Sequence, residues 1–182
     1  MKELSLNVLD ITQNSITAGA KLIEISLIED SNGILTLKIS DDGCGMSQET
    51  VRRVIDPFYT TRTTRKVGMG IPLLKLAAEQ TGGQVSIESK HVSLHPEEHG
   101  TTTTALFYKN HLDFTPLGDI VSTITTLVQG HPDVDFIFEH SMTERLVRLD
   151  TNELREVLGD VPLDSFEVIC WIKDYLDEQY SS

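Results

Sequence analysis

Asp10 and Asn14 stand four residues apart in the stretch LDITQNSITAGA, residues 9–20. The spacing of Leu6, Leu9 and Ile16 predicts a helix over residues 4–17 with those three on its apolar side, ended by Gly19. Side chains at i and i+4 of a helix lie one above the other. A carboxylate and an amide are therefore held side by side, a pair that can bind a divalent cation and a water molecule. The remainder of the chain has to build a wall opposite that face.

Residues 21–29, KLIEISLIE, alternate in polarity and predict a strand. Asp30-Ser31-Asn32-Gly33 is a turn, and residues 34–40, ILTLKIS, form the second arm of a hairpin. Residues 41–46, DDGCGM, make a tight polar loop, and Ser47 is placed to cap a short helix over 49–55. Pro57-Phe58-Tyr59 break it, and residues 60–67, TTRTTRKV, are polar and basic. A helix over 71–80 carries Pro72 in its first turn, where a missing N–H costs nothing. Strands over 84–89 and 101–108 flank a loop over 91–100. The order helix, two strands, two helices, two strands predicts an α/β (α+β) two-layer sandwich, with a mixed, mostly antiparallel sheet covered by helices.

After a linker at 110–116 come a helix over 117–129, strands over 133–138 and 145–149, and a helix over 152–158 capped by Asp150 or Thr151. In a last helix over 165–180, Phe166, Ile169, Ile172, Tyr175 and Leu176 have core spacing, and Trp171 reads as core. No internal repeat is visible. The two parts differ in charge. Residues 1–110 carry 11 Lys+Arg and 13 Asp+Glu, whereas residues 111–182 carry 4 and 15. A near-neutral domain at 1–110 is thus joined to an acidic α/β extension at 111–182. The extension repels nucleic acid and anionic lipid, and its acidity is either a solvated surface or a docking face for a basic partner. The absence of any long apolar run and the polar first residues argue against a membrane span or secretory signal. Cys44 and Cys170 form no disulfide framework, so a cytoplasmic location is expected.

Two glycine motifs add chemistry. Asp41-x-Gly43-x-Gly45 puts a carboxylate at a strand end, before backbone that can approach a ligand closely. Such an aspartate can accept a hydrogen bond from an exocyclic amine such as that of adenine; the same pattern also serves as a plain turn. Gly68-x-Gly70 precedes a helix N-terminus, whose free N–H groups attract phosphate, although a simple helix-entry turn has the same residues.

In this order, Asp10-x-x-x-Asn14, Asp41-x-Gly43-x-Gly45, Pro57-Phe58, Gly68-x-Gly70 and Gly100-Thr101 resemble the boxes of the Bergerat-fold (GHKL) ATPases. That superfamily includes histidine kinases, anti-sigma serine kinases, gyrase-type topoisomerases and MutL-type repair proteins. The likeness covers roughly residues 3–110. PFYTTR…VGMGIPLLKLAAEQTGG is most similar to sensor histidine kinases, while LDITQNSITAGA with SDDGCGM is similar to MutL.

The resemblance implies ATP and Mg²⁺ as cofactors. Asn14 would hold the metal and Asp41 the adenine amine, with Thr101 completing the adenine–water network. Gly43 and Gly45 would let the backbone pass the base, and Gly68 and Gly70 would hold phosphates. Arg62, Arg65 and Lys66 would sit in a lid over 59–67. Asp10 occupies the place where hydrolysing members carry a glutamate general base, one methylene longer. His91, His95 and His99 are spaced four apart but interrupted by Pro96, a poor metal set, and His140 lacks phosphoacceptor context.

The function so implied is that of a stand-alone signalling kinase or slow ATPase, acting with a protein partner or phosphoacceptor. The alternative is a non-catalytic, ATP-responsive binding module. A homodimer is compatible with either. Because the first helix begins almost at Met1, no strand precedes it to close one sheet edge. One of the two extension strands is expected to occupy or shield that edge, in the same chain or in a second copy; the alternative is a small independent domain on a flexible linker at 110–116.

Overall fold

The computed structural model describes residues 3–56 and 69–182. The lid over 59–67 and its neighbours, including Arg62, Lys66 and Gly68, lie outside the described residues. The elements follow the order α1 (Leu4–Thr17), β1 (Leu22–Glu29), β2 (Ile34–Asp41), α2 (Gln48–Ile55), α3 (Gly70–Gln80), β3 (Gln84–Lys90), β4 (Gly100–Tyr108), α4 (Ile120–Gly130), β5 (Asp135–Met142), β6 (Arg145–Asp150), α5 (Thr151–Leu158) and α6 (Phe166–Ser181). Ser47 caps α2 by accepting from Thr50 N–H, and Gly33 turns the first hairpin at φ +80°. Both follow the sequence expectation.

One six-stranded sheet runs β3-β4-β2-β1-β5-β6. Its pairings are antiparallel except for β1 with β5. The alternation seen in the sequence sends Ile23, Ile25 and Leu27 of β1, Leu35, Leu37 and Ile39 of β2, and Phe136 and Phe138 of β5 to one buried face. Helices cover that face: α1 over β1 and β2, α3 over β3 and β4, α4 over β5, and α6 over β6, with α1 touching both α3 and α4.

Residues 111–182 close the sheet edge that residues 1–110 leave open. Residues 22–28 of β1 pair with residues 135–141 of β5 in parallel register. The extension also reaches α1, whose first backbone donors, Leu4 N–H and Ser5 N–H, are accepted by Pro116 O and Leu117 O at 2.9 and 2.8 Å. These are two of the helix-end groups that need a partner when buried. The new edge, β6, is blunted in turn: the Gln179 side-chain amide bonds both N–H and C=O of Arg148. Across the seam, Glu29 holds Lys109 and His140 Nε2, while His140 Nδ1 meets the Tyr180 hydroxyl at 2.7 Å. Buried His140 is thus a structural cross-link between β1, β5 and α6.

Two packing expectations are corrected. α1 buries Leu4, Asn7, Val8, Ile11, Thr12 and Ser15, and Leu6 is 43% exposed. The helix is covered by sheet, α3 and α4 together, so its buried arc includes polar positions that an apolar count passes over. In α6 the core contacts are Val168, Ile172 and Leu176, whereas Phe166 is 81% exposed and Trp171 48%. Among the described residues, no helix is long and apolar enough to cross a membrane.

Candidate functional site

Asp41 ends β2 on the helix-covered face, in step with Leu37 and Ile39. Three donors fix its carboxylate. Ser15 of α1 gives its hydroxyl proton to Oδ2 at 2.6 Å, and Gly43 N–H and Thr101 N–H reach Oδ1 at 2.9 and 3.3 Å. An ionised carboxylate has about four acceptor positions, so one remains for an outside donor. Asp41 opens on a cavity of about 260 Å³ walled by Ile11, Ala18, Met46, Val54 and Ile71, with Asn14, Ser15, Gly45 and Thr101 also lining it. This is slightly under the roughly 300 Å³ at which small-molecule sites commonly begin. Largely apolar walls with one oriented acceptor suit a heteroaromatic base with an amine.

Thr101 lies opposite Asp41 in the β2–β4 ladder. Its hydroxyl is 2.7 Å from Ser89 Oγ, which accepts from Met46 N–H at 2.7 Å and donates to Gly100 O at 3.2 Å. With Ser89's proton spent on Gly100, Thr101 donates to Ser89 and keeps lone pairs for the cavity.

The glycines of the loop serve the protein first. A Cβ on Gly43 would lie 2.9 Å from Ala18 Cβ, and Cys44 N–H bonds Ala18 O at 2.9 Å. Gly45, at φ +72°, leaves room for Lys90 O, which a Cβ would meet at 2.0 Å. Gly45 lines the cavity, while the space beside Gly43 is filled by Ala18. Through these glycines the loop hugs α1 and β3, and this close approach holds Asp41 in place. The His99 ring Nδ1–H adds a bond to Gly43 O at 2.6 Å.

The N-terminus of α3 faces the Asp10–Asn14 ridge. A Cβ on Gly70 would stand 3.4 Å from Asp10 Cβ, 3.6 Å from Ile11 Cδ1 and 3.9 Å from Asn14 Nδ2. Among the described residues no side chain caps α3, so its end is suited to an anion. The Asp10 and Asn14 side chains have no hydrogen-bond partner among the described residues. Burial pushes the Asp10 carboxyl above the usual aspartate value.

Asp10, Asn14, Asp41, Gly45, Gly70 and Thr101 thus converge from five segments. Arg62, Lys66 and Gly68 lie outside the described residues. Ser15 and Ser89 carry no signal in the sequence because a lone serine has no pattern, and only strand pairing brings Ser89 to Thr101; the spacing of His99 pointed only to a poor metal set, not to its bond with Gly43 O. His91 bonds its neighbour Ser93, and His95 joins His99 in lining a second, polar cavity beside Gly100.

The sequence pattern of the family described as "Histidine kinase-, DNA gyrase B-, and HSP90-like ATPase" matches residues 1–111. The sensor histidine kinase CpxA of Escherichia coli is 31% identical over 84 residues, 43% of this chain and 18% of that protein. Other curated relatives are likewise far longer than the shared stretch, which spans 14% and 12% of two of them. In fold, the chain is similar to the N-terminal domain of a DNA repair protein (TM-score 0.59, 17% identity, 82% of this chain and 53% of the other). It is also similar to the Aquifex aeolicus MutL ATPase domain complexed with ADP (TM-score 0.50, 14% identity, 87% and 69%). Both fold likenesses extend past residue 111 into the extension.

Proposed function

This chain belongs to the histidine kinase-, DNA gyrase B- and HSP90-like ATPases, and from that premise we propose that it binds Mg-ATP and acts as a signalling kinase or slow ATPase together with a protein partner. The observation that carries the reading is the Asp41 carboxylate, oriented by Ser15, Gly43 and Thr101 at the mouth of an apolar cavity. The residues present fit the nucleotide. Asp41 and Thr101 would take the base, Asn14 the metal, and the uncapped start of α3 the phosphates. When bound, ATP supplies a transferable phosphoryl group, and Mg²⁺ offsets its charge.

The chain's own part in the reaction falls to Asp10. Its carboxyl is partly desolvated and raised, which strengthens it as a proton acceptor at neutral pH. It faces the start of α3 from the same ridge as Asn14. There it would take the proton of an attacking water or acceptor group. One observation favours the second reading, a non-catalytic switch: no described residue orients the Asp10 carboxylate, and a base displaced by ~1 Å loses much of its rate.

Labelled γ-phosphate separates the readings. Transfer to protein supports a kinase, free phosphate supports an ATPase, and binding without turnover supports the switch. Where turnover occurs, Asp10→Asn is expected to lower it about 100-fold with nucleotide affinity nearly unchanged. Equal loss of affinity and turnover would reassign Asp10 to metal or structural duty.

A further inference from the structure

The face of α6 turned away from the core presents Glu167, Trp171, Asp174, Tyr175 and Glu178, all exposed. Their spacing (i, i+4, i+7, i+8, i+11) places them in one stripe along the helix. Trp171 and Tyr175 stack with ring centroids 4.7 Å apart and planes 12° from parallel, and they remain 48% and 37% exposed. The pair thus forms a stacked, solvent-exposed aromatic patch on α6.

The extension has four cations, and none forms an ion pair with this stripe, although the charge of Asp174 also acts on Lys173. Arg145 binds the carbonyls of Tyr180 and Ser182, and Arg148 binds Glu139, Asp150 and Glu153. Arg155 binds Asp135, and Lys173 binds Asp177. Glu167, Asp174 and Glu178 form no ion pair among the described residues. A stacked tryptophan in a row of unpaired carboxylates is complementary to a guanidinium, which lies flat on an aromatic face and bonds carboxylates through its edge. Trp, Tyr and Arg are also the residues that dominate protein interfaces.

We infer that the Glu167–Trp171–Tyr175–Glu178 stripe of α6 is the docking surface for an arginine-bearing segment of a protein partner. This rests on the proposed partner-dependent function only for the partner's existence, and it adds the partner's chemistry. Arginine is favoured over lysine because the stacked rings offer a planar surface and the carboxylates a bidentate edge.

Trp171 is the sole tryptophan, so its fluorescence reports this stripe alone. The test titrates the full chain with a capped tri-arginine peptide at about 0.15 M salt, where long-range attraction is screened. A saturable change in Trp171 emission is expected, with the tri-lysine peptide binding more weakly. Tyr175→Leu and the double change Glu167→Gln with Glu178→Gln should each weaken binding about fivefold or more. The control Glu156→Gln with Asp160→Asn removes the same charge elsewhere and should leave binding unchanged. Unmoved Trp171 emission, or equal weakening by stripe and control changes, overturns the inference. Melting curves confirm that each variant folds. ATP affinity, measured by calorimetry on Tyr175→Leu, is expected to equal that of the parent chain. Failure of ATP binding in the parent would count against the nucleotide reading and not against the docking surface.

Discussion

Two helix–hairpin units lie side by side in the sheet, α1–β1–β2 and α4–β5–β6, with β1 and β5 parallel at the join. Each second strand ends on an aspartate, Asp41 in one and Asp150 in the other. The two carboxylates have different duties because they stand on opposite faces. Asp41 shares parity with buried Ile39 and points under α1, where Ser15 meets it. Asp150 comes directly after buried Leu149 and faces the other way. There it caps α5 through Asn152 N–H at 2.9 Å and pairs with Arg148. The segment after each strand suits that strand's face. DDGCG packs against α1 beside the cavity, whereas DTNEL starts a helix at once. The helices differ in the same sense: α1 offers Asp10 and Asn14, but α4, IVSTITTLVQG, carries no charge. A strand-end aspartate here lines a cavity where parity and the next loop turn it that way, and caps a helix where they do not.

The strongest way to break this comparison is to remove the second unit. Truncation after Asn110 strips β1 of its β5 ladder and the first turn of α1 of Pro116 O and Leu117 O. The expected loss is on the order of 5 kcal/mol or more, enough to abolish cooperative melting or cause aggregation. If residues 1–110 melted at the full-length temperature, the first unit would be self-sufficient and the extension merely attached.

A paired substitution sharpens it. Asp41→Asn should weaken ATP binding about 10–100-fold by calorimetry with little change in melting. Asp150→Ala should leave nucleotide affinity alone and lower the melting temperature by roughly 2–4 °C through the lost cap. Any crossover between these effects would show that the two carboxylates are not separated in function.

The smallest effect concerns the seam. Burial alone would push the Glu29 carboxyl up, but hydrogen bonds from Lys109 and His140, and their charges, hold it below its ordinary 4.5. A depressed carboxyl contributes stability that is fully present above the unfolded value and is lost as pH falls through the folded one. The parent should therefore lose stability below about pH 4.5, and Glu29→Gln should show a shallower loss there. Chemical melts across pH 3–7 check this; identical slopes would remove Glu29 from the acid response.

Most elements were legible because their patterns are local. The period-2 runs at 22–29 and 34–41, the Ser47 cap and the Asp150 cap each depend on a few neighbouring residues. The packed face of α1 was less so. Asn7, Thr12 and Ser15 are buried because the sheet, α3 and α4 all pack against α1, and polarity along the chain does not report that. Trp171 and Phe166 misled in the opposite direction: large apolar side chains at helical spacing read as core, yet the buried residues of α6 are Val168, Ile172 and Leu176.

By itself the sequence determined the order of elements, the Asp10–Asn14 ridge, the carboxylate before a glycine loop and the acidic bias of the second part, since each is written in neighbouring residues. Tertiary structure decided which residues meet across long separations: Ser15 with Asp41, Ser89 with Thr101, Gly70 with the α1 ridge, and β5 with β1. Sheet register and helix packing set those meetings. A shift of one residue sends a side chain to the other face, and no local pattern in this chain specifies which strand from a distant segment will take an open edge.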